Sequence, residues 1–276
     1  MNTKAFAKVN LALDILGTRD DGYHEMDMVN APAGLYDELE ITPAAEDSIT
    51  CDTFRLPANS TLHKAVALMR EQGGLKGHYA IHLIKHIPDQ AGLGGGSADA
   101  AALLKALNEI ESLGLGTEEL DAIGFQIGAD VPCCLHGGFT RVKGAGEIVQ
   151  DLNIDWKIPV VLAQGVKGIS TKEAFARFEE TKSAPRDIDI VQDAVRKKDI
   201  GLLYQTMSNA FEAQAYELMD ELVELREDMR DAGLVRVMMT GSGSVLMGFS
   251  VDDDVIDEAV EELSEKYPFV WKGYIG

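Results

Sequence analysis

The chain has 276 residues, of which 46% are hydrophobic and 26% are charged, and its formal net charge at neutral pH is −21. This length and composition are typical of a globular protein with a substantial core, arranged as one large domain or two modest ones. The negative charge argues against a general binder of nucleic acids or anionic membranes, because their phosphates would be repelled.

Cysteine usage and hydropathy indicate a cytoplasmic protein. The chain has three cysteines, and two of them, Cys133 and Cys134, are adjacent, which is poor geometry for a mutual disulfide. Without a disulfide framework, a reducing compartment is expected. Lys8, Asn10 and Asp14 interrupt the N-terminal apolar stretch, so we expect no signal peptide. No apolar run reaches the roughly 18 residues that a membrane span needs, and the sequence makes no prediction of oligomeric state.

The first half of the chain mixes predicted strands and helices. Hydrophobic periodicity predicts strands at 4–16, 35–41 and 49–53, a helix at 59–72, a strand at 79–84, helices at 97–113 and 117–127, and short strands at 133–135 and 139–142. Glycine pairs close the first two of these helices.

The second half follows a different order. After about residue 150 the pattern predicts a strand at 158–163, helical segments from 171 to 231, strands at 234–239 and 244–249, a helix at 255–266 and a strand at 269–274. This order is typical of a ferredoxin-like split unit. We therefore expect an α/β (α+β) fold with two lobes, residues 1–150 and 151–276, and a boundary near 144–157.

The most informative segment is 87–101, Ile-Pro-Asp-Gln-Ala-Gly-Leu-Gly-Gly-Gly-Ser-Ala-Asp-Ala-Ala. Its glycines permit positive φ and bring backbone N–H groups close to a ligand, and the Ala- and Leu-rich run that follows favours a helix. Unpaired N–H groups and the positive end of the helix dipole then meet at one point, which favours an anion such as a nucleotide phosphate. The alternative is a flexible turn before a buried helix, with Ser97 as its N-cap.

Two common nucleotide motifs do not describe this segment. No lysine follows the glycines as a P-loop requires, and Ser97 stands where the dinucleotide pattern needs its third glycine. The remaining pattern, Pro-x-x-x-Gly-Leu-Gly-Gly-Gly-Ser-x-x-Ala-Ala, resembles the phosphate loop of the GHMP kinase superfamily. Three other segments resemble motifs of that family and occur in the family's order: 7–11 with 22–24, 128–132, and 240–244.

The resemblance implies the GHMP kinase fold and reaction. The expected fold has a ribosomal S5 domain 2-like N-terminal lobe and a ferredoxin-like C-terminal lobe, with the ligands in the cleft between them. The expected reaction is ATP-dependent phosphorylation of the 2-hydroxyl of a cytidine diphosphate-linked methylerythritol, in the non-mevalonate route to isoprenoid precursors. The expected cofactors are ATP and Mg²⁺, the partner is a small-molecule substrate, and Ser97 or Asp99 is a candidate contact for Mg²⁺.

The glycine segment supplies most of the implied ATP contacts. The resemblance places Lys85 near the adenine, although a solvent-facing strand lysine is the plain alternative. The implied ATP-binding residues are Lys85, Gly92, Leu93, Gly94, Gly95, Gly96 and Ser97. No metal site made of protein ligands is predicted, because residues four apart on a strand, such as His78 and His82, lie about 13 Å apart.

Lys8 and Asp130 are the candidate catalytic residues. A carboxylate beside a hydroxyl can orient it and accept its proton in phosphoryl transfer, and Asp130 lies in the rigid segment 128–132. The resemblance places Lys8 beside this aspartate, where it would hold the carboxylate ionised and offset charge on the phosphoryl group. The alternatives are an acidic turn residue and an exposed strand lysine. Asn10, on the same strand face as Lys8, is a candidate substrate contact.

The remaining candidates concern the substrate's base and diphosphate. The resemblance implies that Tyr23 and His24 engage a cytosine and that Phe175 covers its opposite face, which suits aromatic stacking. Without the resemblance, Tyr23 and His24 would be surface residues and Phe175 a core residue. The family also implies substrate contacts from the segment around Thr171 and from Thr240 and Gly241, whose loop otherwise predicts a tight hairpin.

Two other functions stay open at this point. The first is a related kinase that acts on another small alcohol, which the three aromatic candidates argue against. The second is a binding or regulatory relative without turnover, which the joint presence of Lys8 and Asp130 argues against.

Overall fold

The computed structural model describes residues 1–181 and 186–276. The strands within these residues are β1 (Asn2–Thr18), β2 (His24–Ala44), β3 (Ser48–Cys51), β4 (His78–Ile84), β5 (Thr140–Gly144), β6 (Ile148–Asp151), β7 (Ile158–Gln164), β8 (Ser208–Asn209), β9 (Arg236–Met239), β10 (Leu246–Phe249) and β11 (Phe269–Ile275). The helices are α1 (Thr61–Glu71), α2 (Gly95–Ile110), α3 (Thr117–Ile127), α4 (Val131–His136), α5 (Thr171–Thr181), α6 (Ile188–Lys197), α7 (Ile200–Thr206), α8 (Glu212–Leu218), α9 (Asp220–Asp231) and α10 (Asp253–Lys266).

A long antiparallel hairpin of β1 and β2 organises the N-terminal part. β2 also pairs with β4 and with β5, while β3 runs parallel to β4 and β6 pairs with β5. Helices α1 to α4 pack together over a core that includes Leu39, Ile81, Leu103 and Leu107. The predicted strands at 4–16, 35–41 and 79–84 are confirmed, and the first two extend further because they pair along their whole length.

Helix α2 is rich in small and apolar residues, and nine of its 16 residues are buried. Ala98, Ala101, Leu103 and Leu104 are among its nine buried positions. The small side chains let the helix pack closely on its neighbours, and its first turn lies at the end of the glycine loop. The loop therefore connects directly to the most deeply buried helix of this part.

The predicted strand at 133–135 is wrong, because these residues belong to helix α4. Pro132 lies in the first turn of that helix, where its missing N–H costs no hydrogen bond. Gly137 ends the helix with φ 73°, a left-handed conformation suited to glycine. The apolar run favoured a strand, but the proline and the glycine that flank it are helix boundary signals.

The C-terminal part confirms the ferredoxin-like prediction. Its strands lie in the order β11, β7, β10, β9, so the strands taken first to fourth along the chain stand in the order 4-1-3-2, and each neighbouring pair is antiparallel. The predicted helical stretch from 171 to 231 forms α5 to α9 with the short β8 between them. Its residues 182–185 lie outside the described part of the chain.

The two sheets join edge to edge. Ile275 of β11 pairs with Ala33 of β2, and β8 runs parallel to β1. A central core of residues from both parts, including Val9, Val29, Leu162 and Met247, fills the space around this junction. The lobe boundary at residue 150 stays a prediction. Across the described residues, no helix combines the length and the apolar character needed to cross a membrane.

Candidate active site

A cleft of about 440 Å³ lies between the glycine loop, β1, the start of α4 and helix α5. The residues proposed from sequence that line it are Lys8, Asn10, Gly92, Leu93, Gly94, Gly95, Gly96, Ser97, Asp130, Thr171, Phe175 and Gly241. Tyr23, His24, Lys85 and Thr240 are not among the residues that line this cleft. The fold thus brings together most of the candidates, although they are spread over much of the chain.

Lys8 and Asp130 form an ion pair inside the cleft. The Lys8 Nζ atom lies 3.5 Å from Asp130 Oδ2, and the Lys8 side chain is only 8% exposed whereas that of Asp130 is 34% exposed. Asp130 is the residue before α4, and its carboxylate does not cap the helix. The lysine is therefore held in the wall while the carboxylate oxygen remains open to a ligand in the cleft.

Asn10 fixes the direction of the Lys8 ammonium group. Lys8 Nζ donates to Asn10 Oδ1 at 2.8 Å, and Asn10 Nδ2 donates to Asn30 Oδ1 at 2.7 Å. The Asn10 backbone N–H donates to the Thr240 hydroxyl at 2.9 Å. Asn10 is fully buried and its amide is hydrogen-bonded within the protein, so its role in the structure is to position the Lys8 ammonium group. Its contact with substrate stays a prediction.

The glycine loop is held against β1 by close packing. The Lys8 backbone N–H donates to the carbonyl of Leu93 at 2.9 Å. Gly94 begins α2 in the left-handed conformation with φ 68°, and a Cβ there would lie 2.9 Å from the Lys8 Cγ atom. The N-cap is therefore Gly94 and not Ser97, which lies within the first turn of α2. A backbone with positive φ directly before the helix needs a glycine, so the serine role predicted from propensity is wrong.

A second glycine loop, residues 240–245 between β9 and β10, supports the first. A Cβ on Gly92 would overlap the Thr240 carbonyl oxygen, and one on Gly241 would lie 2.6 Å from the Gly92 carbonyl oxygen. The two backbones can approach this closely only because both residues lack side chains. Asn209 holds the second loop, since its Nδ2 donates to the carbonyls of Met239 and Gly241 at 2.8 Å. The predicted hairpin thus also packs behind the glycine loop.

Lys85 lies beneath the start of α2 and does not face solvent. Its side chain is 8% exposed and contacts two buried carboxylates, Asp37 and Asp99. Burial lowers the pKa of Lys85, but the attraction of Asp99 and Asp37 outweighs it and leaves that pKa raised. Burial raises the pKa of Asp99 to about 8 against the opposing effect of Lys85. A Cβ on Gly95 would lie 3.1 Å from Lys85 Nζ, so this lysine supports the loop from below.

The aromatic candidates are arranged differently from the prediction. The ring of His24, and not that of Tyr23, stacks on Phe175, with centroids 4.3 Å apart and an angle of 4° between the planes. Tyr23 is 55% exposed and lies nearest to Phe125, at 6.2 Å. Phe175 also contacts Phe211 edge-on at 4.9 Å. His24 and Phe175 come from different parts of the chain, as predicted, and they stack directly on each other; engagement of a cytosine by Tyr23, His24 and Phe175 stays a prediction.

Comparison with known proteins places this arrangement in a family. Residues 60–138 match the GHMP kinases N terminal domain, and residues 191–268 match the GHMP kinases C terminal domain. The chain is 34% identical over 275 residues to 4-diphosphocytidyl-2-C-methyl-D-erythritol kinase of Clostridium perfringens, covering 98% of this chain and 95% of that protein. The chain belongs to the 4-diphosphocytidyl-2-C-methyl-D-erythritol kinase family.

Further relatives agree in sequence and in structure. The kinase of the same name from Geobacillus thermodenitrificans is 36% identical over 258 residues, covering 92% of this chain and 89% of that one. A crystal structure of 4-(cytidine 5'-diphospho)-2C-methyl-D-erythritol kinase superposes with a TM-score of 0.84 at 31% identity and covers 100% of this chain. A Leishmania major mevalonate kinase, at 19% identity and a TM-score of 0.76, shares the fold. The resemblance to the GHMP kinases and the expected fold are confirmed.

Sequence reasoning missed four residues that support or line this cleft. Asn30 and Asn209 are buried amides that fix Asn10 and the second glycine loop, and nothing in their local sequence marks them. Asp37, which accepts from the backbone N–H groups of His86 and Ile87 at 2.6 and 2.8 Å, anchors the segment before the glycine loop. Ser242 lines the cleft and stood inside a recognised glycine motif, so that motif was a signal for it.

Proposed function

We propose that this protein transfers the γ-phosphoryl group of ATP to the 2-hydroxyl of 4-diphosphocytidyl-2-C-methyl-D-erythritol. The observation that carries the proposal is the Lys8–Asp130 pair, 3.5 Å apart, in one cleft with the N-terminus of α2. Its support from comparison is the near full-length likeness to kinases of that name.

The glycine loop is the proposed phosphate site. The N–H groups of Gly95 and Gly96 have no partner within the helix and lie at its positive end beside the cleft, whereas the Ser97 N–H donates to the Gly94 carbonyl at 3.0 Å and offers its hydroxyl. Gly95, Gly96 and Ser97 occupy that first turn. These donors suit the β- and γ-phosphates of ATP, with the close approach of the ligand made possible by residues that lack side chains.

Lys8 and Asp130 are the proposed catalytic residues. Asp130 accepts a hydrogen bond from the substrate hydroxyl, orients it towards the phosphoryl group and receives its proton as the new bond forms. Lys8 keeps the carboxylate ionised and offsets negative charge that spreads over the transferred group. Because the transition state is loose, most of the gain comes from positioning and charge.

Mg²⁺ is part of this proposal, and the Ser97 hydroxyl is the protein ligand that we propose for it. Asp99 is 3% exposed and does not line the cleft; its Oδ2 accepts from Lys85 and its Oδ1 has no partner among the described residues, so burial rather than full hydrogen bonding keeps it from the cleft. Ser97 lines the cleft and offers a hydroxyl oxygen. Mg²⁺ keeps several waters and takes few protein ligands beside the phosphates, which suits Ser97 together with ATP. Bound there, the ion would neutralise charge on the phosphates.

The stacked pair of His24 and Phe175 is the proposed cytosine site. A cytosine that stacks on the same face of Phe175 must displace the His24 ring, which can then bond to the edge of the base. Tyr23, the preceding residue in the chain, is exposed. The aromatic faces orient the base as well as bury it.

A cytoplasmic location, expected from cysteine usage, belongs to the same proposal.

The test is ADP release from ATP in the presence of single candidate alcohols. We expect ADP release with 4-diphosphocytidyl-2-C-methyl-D-erythritol and none above background with mevalonate or homoserine. Release with one of those two alcohols alone would favour a different GHMP kinase activity. Absence of release with every alcohol, in a folded protein that binds ATP, would favour a relative without turnover.

A further inference from the structure

Lys8 borders a second cavity as well as the catalytic cleft. This cavity, of about 120 Å³, lies between β1, β2, α2 and the segment that joins α4 to β5. Its volume corresponds to about four water molecules at roughly 30 Å³ each. Lys8 is the one residue found in the lining of both spaces.

Two buried polar groups point to a ligand in this cavity. Asn30 Nδ2 and Thr140 Oγ1 both belong to residues of its lining, and neither atom has a hydrogen-bond partner among the described residues. Asn30 is 2% exposed and Thr140 is fully buried. They are directly opposite each other on β2 and β5, so one small group between them can bond to both. Buried donors of this kind cost free energy unless a partner satisfies them.

The charge of the cavity favours an anion. Its lining contains Lys4, Lys8 and Lys105 and no aspartate or glutamate, although the chain as a whole carries a net charge of −21. The Lys4 ammonium lies over the ring of Tyr36 and the Lys8 ammonium faces Asp130. Lys105 makes no ion pair with the described residues; its side chain reaches solvent, and partial burial lowers its pKa. An oxyanion in the cavity would supply the missing negative charge.

The cavity adjoins a larger, mostly apolar pocket at the surface. This outer pocket, of about 720 Å³, shares Phe6, Pro32, Gly137 and Gly138 with the inner one and is also lined by Trp271 and Tyr274. Phe6 is 46% exposed and Tyr274 is 53% exposed. A concave apolar surface with exposed aromatic rings that narrows to a few polar groups is typical of a small-molecule site.

We propose that the two spaces form a second ligand site, for a small amphipathic anion whose oxyanion head occupies the inner cavity and whose apolar body occupies the outer pocket. The head accepts hydrogen bonds from Asn30 Nδ2 and from the Thr140 hydroxyl and lies near the Lys105 ammonium. The body covers the rings of Phe6 and Tyr274. The site is separate from the cleft in which the substrate is proposed to react.

A ligand at this site acts on Lys8 through two buried amides. A head bonded to Asn30 fixes that amide, whose Oδ1 accepts from Asn10 Nδ2 at 2.7 Å. Asn10 Oδ1 in turn accepts from Lys8 Nζ at 2.8 Å. Occupation therefore changes turnover without competing for ATP or for the alcohol. This effect depends on the catalytic role proposed for Lys8, whereas binding at the site does not.

Binding of three probes tests the site. Inorganic phosphate supplies the head, 1-hexanol the body, and hexyl phosphate both; each is titrated calorimetrically with ADP held at saturation to block the phosphate loop. We expect hexyl phosphate to bind about tenfold more tightly than either part, since its head and body fill adjoining spaces. In steady-state assays it should lower kcat with little change in either KM.

Matched variants locate the probe. Lys105→Met and Thr140→Val should each weaken hexyl phosphate about fivefold to tenfold, the effect of one lost hydrogen bond or ion pair. Lys64→Met on α1 and Thr42→Val on β2 are controls and should change nothing. Tyr274→Ala, at an exposed position that a folded protein tolerates, should weaken hexyl phosphate and leave inorganic phosphate unchanged.

Three results would overturn the proposal. Hexyl phosphate could fail to bind the ADP-saturated protein, could bind all the variants alike, or could bind no better than inorganic phosphate. Competition with ATP or the alcohol in the steady-state assay would place the probe in the catalytic cleft and also count against it. Turnover without probe, measured in the same preparations, shows separately whether the proposed kinase function holds.

Discussion

Two side chains that are distant in the sequence form the proposed reacting centre. Lys8 comes from the first strand and Asp130 from the residue before α4, and their charged atoms lie 3.5 Å apart. The lysine is buried and held by Asn10, whereas the carboxylate is a third exposed. This asymmetry suits a fixed cation that supports a carboxylate in contact with substrate.

Replacement of Asp130 tests this division of roles. We expect Asp130→Asn to lower kcat by about a hundredfold or more, because the amide keeps the shape but cannot accept the proton. The dissociation constant of ATP should stay within about threefold, since the phosphates bind to the backbone of α2. Asp193→Asn, on the exposed face of α6, is the control. Turnover of Asp130→Asn within about threefold of the wild type would remove Asp130 from catalysis.

Replacement of Phe175 tests whether a cytosine stacks on its ring. We expect Phe175→Ala to raise the KM for the cytidyl substrate about tenfold, in line with roughly 1–3 kcal/mol for base–aromatic stacking. The KM for ATP should not change. Tyr23→Ala should have a smaller effect, because Tyr23 does not face Phe175 in the structure.

Competition by CMP provides a second test of the role of Phe175. CMP should compete with substrate in the wild type and much less in Phe175→Ala. Equal loss of CMP competition in Phe175→Ala and Tyr23→Ala would indicate that Tyr23 and Phe175 enclose the base from opposite faces, as the sequence first implied. Failure of CMP to compete at all would show that no base is stacked there.

At the scale of elements, the glycine loop depends on contact between two backbones. Gly92 packs against the Thr240 carbonyl and Gly241 against the Gly92 carbonyl, and both glycines have positive φ, 76° and 56°. The position of the glycine loop therefore depends on the hairpin between β9 and β10. This couples a structural element of the C-terminal sheet to the proposed nucleotide site of the N-terminal part.

A pair of glycine variants separates this contact from general helix effects. Gly92→Ala should lower the free energy of unfolding and raise the KM for ATP, because its methyl group would overlap the Thr240 carbonyl. Gly96→Ala, in the first turn of α2 with its nearest neighbour 3.5 Å away, should leave stability unchanged or raise it by about 0.4–1 kcal/mol. Chemical denaturation of both variants is the measurement. Equal stability of the two would mean that the loops are not in contact.

His136 joins three elements and makes stability depend on pH. Its Nδ1 contacts Asp151 of β6 at 2.8 Å and its Nε2 contacts Asp121 of α3 at 2.9 Å. Burial alone lowers the pKa of His136, but the two carboxylates outweigh it and raise that pKa above its usual 6.5. The stabilisation is therefore fully present below about 6.5 and is lost as the pH rises through the higher, folded-state pKa.

The variant His136→Gln measures that pH dependence. The difference in unfolding free energy between wild type and variant should be largest near pH 6 and should shrink towards pH 8.5, since histidine gains protonation on folding. Urea denaturation across this range provides the values. A difference that stays constant with pH would show that His136 contributes by packing alone.

For the whole molecule, the fold was predictable where local pattern and topology agree. The order strand, helices, two strands, helix, strand after residue 150 leads to the ferredoxin-like sheet, because each strand has a clear apolar pattern and a glycine or charged boundary. The proximity of Lys8 and Asp130 was predictable through their motifs, whereas their catalytic roles stay a prediction. Helix α4 was not, since a short apolar run is ambiguous and its boundaries at Pro132 and Gly137 decided the outcome.

Other features depend on long-range packing that no local pattern contains. Lys85 stands in the sequence where an exposed strand residue would be expected. Its ammonium group is nevertheless buried, in contact with Asp37 and Asp99 from two other elements. The His24 ring stacks directly on Phe175 across a large sequence separation. The row of Asn10, Asn30 and Thr140 exists only through strand register.

The central claim is that this cleft phosphorylates one hydroxyl of a cytidyl alcohol, and phosphorus-31 NMR of the reaction tests it most directly. With ATP, Mg²⁺ and 4-diphosphocytidyl-2-C-methyl-D-erythritol, we predict one new phosphate monoester signal in equal amount to ADP, with the substrate's diphosphate signals retained. Asp130→Asn should give no such signal in the same time. Conversion of ATP to ADP and inorganic phosphate alone, or loss of the diphosphate linkage, would contradict the account.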